Sequence, residues 1–336
     1  MMRGDARACQ RHLEDIFEVH SAMNLPPHID RLTMLNCNQH GDLNCHLLGE
    51  GDHNHVWRIR QGQQDIVIRL PKGEPHGENY YRAEIYNQTC AHQLGLAPKA
   101  LAEDVRSGLL VSEFVGERCV KRSDFECNQF RRELVRALRR LHDSGHWFLY
   151  QHDFLKSVAK KTAKYLQTDF GSFPSTFYKM SLIAERVRIF LLAQPLVLCP
   201  IHADLALKNM MLTEAGLRFI DWEVSGMGDR FEEVAFVLFN SDMSPEQAVK
   251  FLDLYLSETS CDEPPQVQAA NKTKTILYWL LHIYSWVVEH DLRAAESDDP
   301  SYDYQCCHER LVEFNDLITS GVASDAFKVV RLATTG

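Results

Sequence analysis

The sequence predicts an α+β fold in two lobes, a small antiparallel sheet in residues 1–114 and a mainly helical lobe in residues 115–336. Three observations predict it. Trp57 and Ile59 alternate with Arg58 and Arg60, and Ile66 and Ile68 with Val67 and Arg69, the period of strands. Phe130, Leu134, Leu138 and Leu141 recur at helical spacing. Short apolar runs separated by Asp204, Asn209 and Asp221 interrupt the helical half with brief strands. A chain of 336 residues, 45% hydrophobic, has the material for a sizeable core.

In chain order, Leu13, Ile16 and Phe17 give residues 1–35 a partly helical reading. The first sheet follows. Its strands run near 47–51, 53–60 and 65–70, with Gln61-Gly62-Gln63-Gln64 as a hairpin turn. Gly49, Gly51 and Asn54 fall between two of these strands, and Arg58 and Arg60 point to the wetted face. Residues 79–95 read as a helix stopped by Gly95 and Pro98, and Leu109 to Phe114 as a strand. Ser123-Asp124-Phe125-Glu126 has the spacing of a capping box before a helix that ends near Gly145. Further helices are expected over 176–193, after Ser244-Pro245-Glu246-Gln247, and over 270–290. Short strands are expected near 197–199, 210–213 and 217–220. Residues 291–305, with Asp291, Glu296, Asp298, Asp299 and Asp303, read as an acidic loop facing solvent.

Charge and composition narrow the function. Forty-six acidic against 36 basic residues leave a net charge of -10, which disfavours broad nucleic-acid binding and suits a cationic ligand. Ten scattered cysteines do not form a disulfide framework and fit a reducing compartment. No signal peptide or membrane span is evident, so the expected location is cytoplasmic.

The chemistry concentrates in His202-Ala203-Asp204-Leu205-Ala206-Leu207-Lys208-Asn209, followed by Ile220-Asp221-Trp222-Glu223. A carboxylate such as Asp204 can orient a hydroxyl and accept its proton. Asn209 and Asp221 offer the hard oxygen donors that Mg²⁺ prefers. His202 can brace the backbone around Asp204.

These residues, with the tail Val224-Ser225-Gly226-Met227-Gly228-Asp229, resemble the catalytic signature of aminoglycoside phosphotransferases and of choline, ethanolamine and thiamine kinases. The resemblance implies a bilobal protein-kinase-like fold, ATP and Mg²⁺ as cofactors, and a small-molecule substrate. By it Asp204 is the catalytic base, His202 supports the catalytic loop, Asn209 and Asp221 bind the metal, and Asp229 secures the loop. Glu233 stands where an aspartate is common.

The same resemblance assigns the N-terminal lobe to the nucleotide. Gly49, Gly51 and Asn54 form a loose phosphate loop. Arg69 is the phosphate-binding cation, oriented by Glu84, and the backbone of Glu113, Phe114 and Val115 meets adenine. On the acceptor side, Glu223, Trp279 and Trp286 are candidates for a cation pocket, the tryptophans being seven residues apart and able to share a helix face. Such a stripe also suits core packing. Choline is the first expected acceptor, with thiamine, ethanolamine or an aminoglycoside as alternatives, and a kinase-like binding protein without turnover as the non-enzyme alternative.

Overall fold

The structure, a computed structural model, describes residues 44–50, 54–116, 118–167, 174–258, 263–322, 326–328 and 330. Gly51 and the helical reading within 1–35 lie outside the described residues. The chain divides into two compact units: residues up to Ile85 with Pro98–Val115, and Tyr86–Ala97 with the residues from Gly116 onward.

The N-terminal unit is a five-stranded antiparallel sheet. Its strands β1 (Asn44–Glu50), β2 (Asn54–Gln61), β3 (Gln64–Pro71), β4 (Ala100–Asp104) and β5 (Leu109–Glu113) lie in the order β1-β2-β3-β5-β4. The β2–β3 hairpin turns at Gly62, whose φ of 57° is the left-handed value that glycine adopts without steric cost. Alternation buries Ile59, Ile66, Ile68 and Leu70 with Leu109 and Val111. Gly49 is not between strands. It lies within β1 opposite Val56, at a register shift that follows Leu47, while Asn54 opens β2 opposite Pro71. Arg58 is not a free surface cation either. Its guanidinium makes two 2.7 Å bonds to Asp65 and lies 3.5 Å from the Phe114 ring centroid.

Helix α1 (Glu78–Gln93) begins in the first unit and ends in the second. Its C-terminus closes through Gly95 at φ 68°, with Leu96 N–H donating to Ala91 O at 2.9 Å.

The C-terminal unit is built on helices α2 (Asn128–His142), α3 (Phe154–Leu166), α4 (Pro174–Leu192), α5 (Arg230–Ser241), α6 (Pro245–Ser257), α7 (Pro265–Glu296) and α8 (Ser301–Thr319). The apolar stripe of α2, Phe130, Leu134, Leu138 and Leu141, is buried, each side chain contributing about 1.5–3 kcal/mol of burial. Ser244 caps α6 through the reciprocal bonds expected of Ser-x-x-Gln. The expected box at Ser123 does not form. Asp124 instead accepts the Lys121 N–H at 2.7 Å, closing a 3₁₀ turn over Arg122–Glu126, and α2 starts after Cys127. The acidic stretch 291–305 is not a loop. Asp291 is buried in α7 and accepts the Tyr165 hydroxyl, and Asp303 lies on α8 against His290, leaving only a short exposed turn between the two helices.

Two small sheets complete this unit: β6 (Leu198–Ile201) with β9 (Gly226–Asp229), and β7 (Met210–Thr213) with β8 (Gly216–Phe219). Residues 150–152 run along the other side of β9, where Met227 N–H donates to Tyr150 O and His152 N–H to Met227 O, both at 2.9 Å. Glycine is required for this approach. A Cβ on Gly226 would sit 2.9 Å from Tyr150 O, and one on Gly228 would sit 2.3 Å from Ile201 Cδ1. Among the described residues no helix is long and apolar enough to cross a membrane.

Candidate active site

The end of β6 delivers a tightly cross-linked loop. His202 is fully buried, and its Nδ1 accepts the Asp204 N–H at 3.3 Å, so the proton belongs on Nε2, which donates to Ile220 O at 2.9 Å. Ile220 N–H donates to Asn209 O at 2.9 Å. These two bonds fasten the residue before Asp221 to both ends of the loop. Asn209 Nδ2 donates to Asp204 Oδ2 at 2.8 Å and to Asp204 O at 3.0 Å, which fixes the carboxylate and leaves Asn209 Oδ1 as a donor atom for a metal. Ala203 and Asp221 adopt left-handed backbone angles, φ 66° and 69°. Such values are uncommon for residues with a Cβ and store strain. Trp222, wholly buried, packs its ring 4.5 Å from His202 and donates Nε1–H to Phe219 O.

Burial raises the Asp204 carboxyl above the usual carboxylate range. The His202 ring opposes that shift, and the neighbouring charge of Asp221 adds to it. Asp204, His202, Asn209 and Asp221 are thus one group.

What holds the loop is Glu233, on α5. Its Oε1 accepts the N–H of His202 at 2.6 Å and of Ala203 at 2.8 Å. Its Oε2 lies 2.6 Å from His142 Nε2, and His142 Nδ1 lies 2.7 Å from the Tyr255 hydroxyl. Burial alone would push Glu233 up, but the bond from His142 and the backbone N–H groups bring its carboxyl below the ordinary range. Asp229, expected to secure the loop, serves elsewhere. Its Oδ1 caps α5 through Phe231 N–H, and its Oδ2 takes Lys274 Nζ at 2.6 Å and the Tyr278 hydroxyl at 3.1 Å. The physical reason is reach: Asp229 sits before the first turn of α5, whereas Glu233 lies one turn further on, facing the loop.

In the N-terminal unit, Arg69 Nη2 contacts Glu84 Oε2 at 2.5 Å, and both residues are buried. Glu113 pairs with Ile66 across the sheet, and its carboxylate accepts the Lys99 N–H at 2.9 Å. Phe114 N–H is taken by Asp65 O at 3.1 Å, and Val115 follows, half-buried.

The acceptor candidates are not gathered in one place by these contacts. Glu223 is half-buried beside Trp222, in a turn closed by Ser225 N–H to Trp222 O. Trp279 is buried and donates Nε1–H to Glu313 on α8 at 3.2 Å. Trp286 packs against Phe239 and His290, with centroids 5.5 and 4.5 Å apart. In these contacts both tryptophans pack against neighbouring helices.

A carboxylate that the sequence reading passed over lies next to the anchor. Glu232, 2% exposed, helps line a cavity of ≈ 140 Å³ with His152, Phe154, Leu198, Asp229 and Tyr278. Glu232, His142 and Tyr255 left no signal in the sequence, because their partners come from distant helices.

The antiparallel-sheet unit, the helical unit and the His202–Asp204–Asn209–Asp221 group are the parts of a protein-kinase-like fold. The chain belongs to the phosphotransferase enzyme family, whose model matches residues 44–269. Protein LicA of Haemophilus influenzae is 26% identical over 214 residues, which span 62% of this chain and 61% of that protein, less than two thirds of its length. Among solved structures, a choline/ethanolamine kinase family protein from Mesorhizobium loti superposes with a TM-score of 0.72 at 19% identity, covering 94% of this chain and 99% of that one. LicA in complex with AMP superposes at 0.59 with 17% identity, covering 86% of this chain and 100% of that one. At such identities the likeness establishes the fold.

Proposed function

We propose that this protein transfers the γ-phosphate of ATP, with Mg²⁺, to the hydroxyl of a small cationic alcohol. The observation that carries this reading is the fixed Asp204 carboxylate, oriented by Asn209 and backed by the Glu233-held bend at Ala203. Asp204 orients the acceptor hydroxyl and takes its proton as the new O–P bond forms and the bond from the γ-phosphorus to the bridging oxygen breaks, ADP leaving with that oxygen. Its raised pKa brings it closer to the working range of a general base.

Asn209 Oδ1 and the Asp221 carboxylate are the hard oxygen donors that would hold Mg²⁺, and the hydrogen bonds that fix Asn209 and Ile220 suit that task. When bound there, the ion would supply charge neutralisation for the phosphate oxygens. Arg69, held by Glu84, is the cation proposed to meet phosphate oxygens. The irregular edge at Gly49, with Asn54 and Gly51, is proposed to lie along the phosphates, and the backbone after Glu113 to meet adenine. Likeness to a kinase structure that holds AMP supports the nucleotide assignment.

The test is ATP consumption, with and without Mg²⁺, over a panel of choline, ethanolamine, thiamine and representative aminoglycosides. Turnover is expected for a cationic alcohol and only with the metal. Asp204→Asn should lower kcat by roughly 10²- to 10⁴-fold while the circular dichroism melt is kept. A folded Asp204→Asn variant that turns over like the wild type would remove Asp204 as the base.

A further inference from the structure

Helix α4 is apolar on two faces. Phe177, Met180, Ala184, Val187 and Leu191 are buried, with Phe177 stacked on the rings of Tyr165 in α3 and Tyr284 in α7. The fold accounts for that face. On the opposite side Tyr178, Leu182, Ile189 and Leu192 stand in solvent, at steps of four, seven and three residues that keep them on one stripe about 100° wide. Leu196 and Val197, in the turn that leads to β6, extend the stripe, since Leu192 and Leu196 border the same cavity. All of these residues are between 47% and 72% exposed.

A helix with apolar residues all round is ordinarily buried all round. The exposed stripe amounts to about 600 Å², the upper end of the largest patch found on a typical monomer. With its flanking residues it approaches the roughly 800 Å² that each partner gives a standard-size interface.

Symmetry identifies the occupant. The stripe holds one charged position, Glu185, and Arg186 follows it, both exposed. Two copies of α4 can be set antiparallel about a two-fold axis that crosses the helix between these residues. Leu182 of each copy then faces Ile189 of the other, Tyr178 falls beside Leu192 and Ala193, and Glu185 faces Arg186. One register thus matches apolar to apolar and carboxylate to guanidinium. Arg188 of the same chain already holds Glu185 through two 2.7 Å bonds, but a carboxylate has about four acceptor sites and can take the second arginine as well. A lipid surface suits the stripe less well. The other face of α4 is packed against protein instead of being polar, and a net charge of -10 works against anionic lipid.

We propose that α4 is a self-association surface, on which a second copy of this chain docks through an antiparallel, two-fold α4–α4 contact. The second copy then packs against the turn that enters β6, the strand that leads to His202. Such a dimer needs neither nucleotide nor acceptor, so it stands apart from the phosphoryl-transfer reading.

Sedimentation equilibrium of the full chain, from about 1 to 100 µM, should reach twice the monomer mass at the upper end. Ile189→Arg sets an unpaired charge in the contact and should weaken association roughly 100-fold or more. The melt of the dilute variant should match that of the dilute wild type, since Ile189 is 50% exposed. Glu185→Arg and Arg186→Glu should each stay monomeric where the wild type pairs. Their equimolar mixture should form a dimer, because each variant supplies the charge that the other lost. A wild type that is monomeric throughout overturns the proposal. A dimer that survives Ile189→Arg places the interface elsewhere and overturns it too. Charge variants that pair alone as tightly as the wild type, or a mixture that stays monomeric, exclude the antiparallel register and with it the proposal. Monomeric wild type that sediments with phosphatidylcholine–phosphatidylglycerol vesicles, and stops doing so in Ile189→Arg, assigns the stripe to a lipid surface instead. Should Ile189→Arg fail to fold, the wild-type mass and the two charge variants still decide.

Discussion

Ala203 carries a methyl group where the backbone, at φ 66°, favours none. Two N–H bonds to Glu233 hold that bend, and Asp204 emerges from it. Relief of the Cβ strain should make Ala203→Gly more stable by about 1 kcal/mol, measured by denaturant unfolding. The adjacent glutamates should act in opposite directions with pH. Glu232 is raised from 4.5 to about 8, so the folded state binds its proton more tightly than the unfolded chain. Its contribution to stability is present below 4.5 and lost as pH rises to about 8. Glu233 is lowered below 4.5, so its contribution is present above that value and lost as pH falls through the lowered pKa. The melting temperature of the wild type minus that of Glu232→Gln should therefore decline between pH 4.5 and 8; a flat difference would contradict the burial of Glu232. Of these residues the sequence made Asp204, Asn209 and Asp221 legible, because they lie on one short stretch with a recognisable order. Glu232 and its histidines were not legible, since His152 and His282 stand on segments far away along the chain.

Helix α7 illustrates what can and cannot be read at the level of an element. Its apolar positions predicted a helix over 270–290, but the helix runs Pro265–Glu296. The acidic residues that suggested a loop continue it, because the buried Asp291 carboxylate accepts a hydrogen bond from the Tyr165 hydroxyl. The tryptophan spacing correctly put Trp279 and Trp286 on a helix, but spacing does not tell a packing face from a ligand face. Trp279→Ala should cost about 3–5 kcal/mol of stability, with the acceptor KM of the surviving folded fraction unchanged. A selective rise in KM without loss of stability would return this residue to the acceptor site. Strand β9 escaped the sequence reading for a different reason. Gly226-Met227-Gly228-Asp229 has little strand propensity, and only its bonded neighbours on both sides make it a strand. The box at Ser244 forms as its spacing predicts; at Ser123 the turn is instead closed two residues earlier, by Asp124 on the Lys121 N–H.

For the molecule as a whole, the alternating strands and the helical periodicities predicted the two-lobed α+β architecture, since those patterns depend on neighbours along the chain. The support for the catalytic loop depends instead on contacts across 91 residues, His142 to Glu233, and 113 residues, His142 to Tyr255. Tyr255→Phe, which keeps the ring and removes the hydroxyl, should cost about 1 kcal/mol in unfolding free energy. The net charge of -10 gives the molecule a field that draws in cations. Raising ionic strength should therefore raise KM for a cationic acceptor while kcat changes little, a salt series on purified protein being the check.

The naked backbone of β9 also limits how this chain can vary. With Ile201 Cδ1 2.3 Å from where a methyl on Gly228 would stand, even alanine there displaces the buried Ile201 side chain, and the residue after Ile201 is His202. A position with no side chain and no charge thus bears on the packing of the strand that leads into the His202–Asp204 loop. Inactivating mutations should accumulate at Gly228 as readily as at the acidic residues themselves.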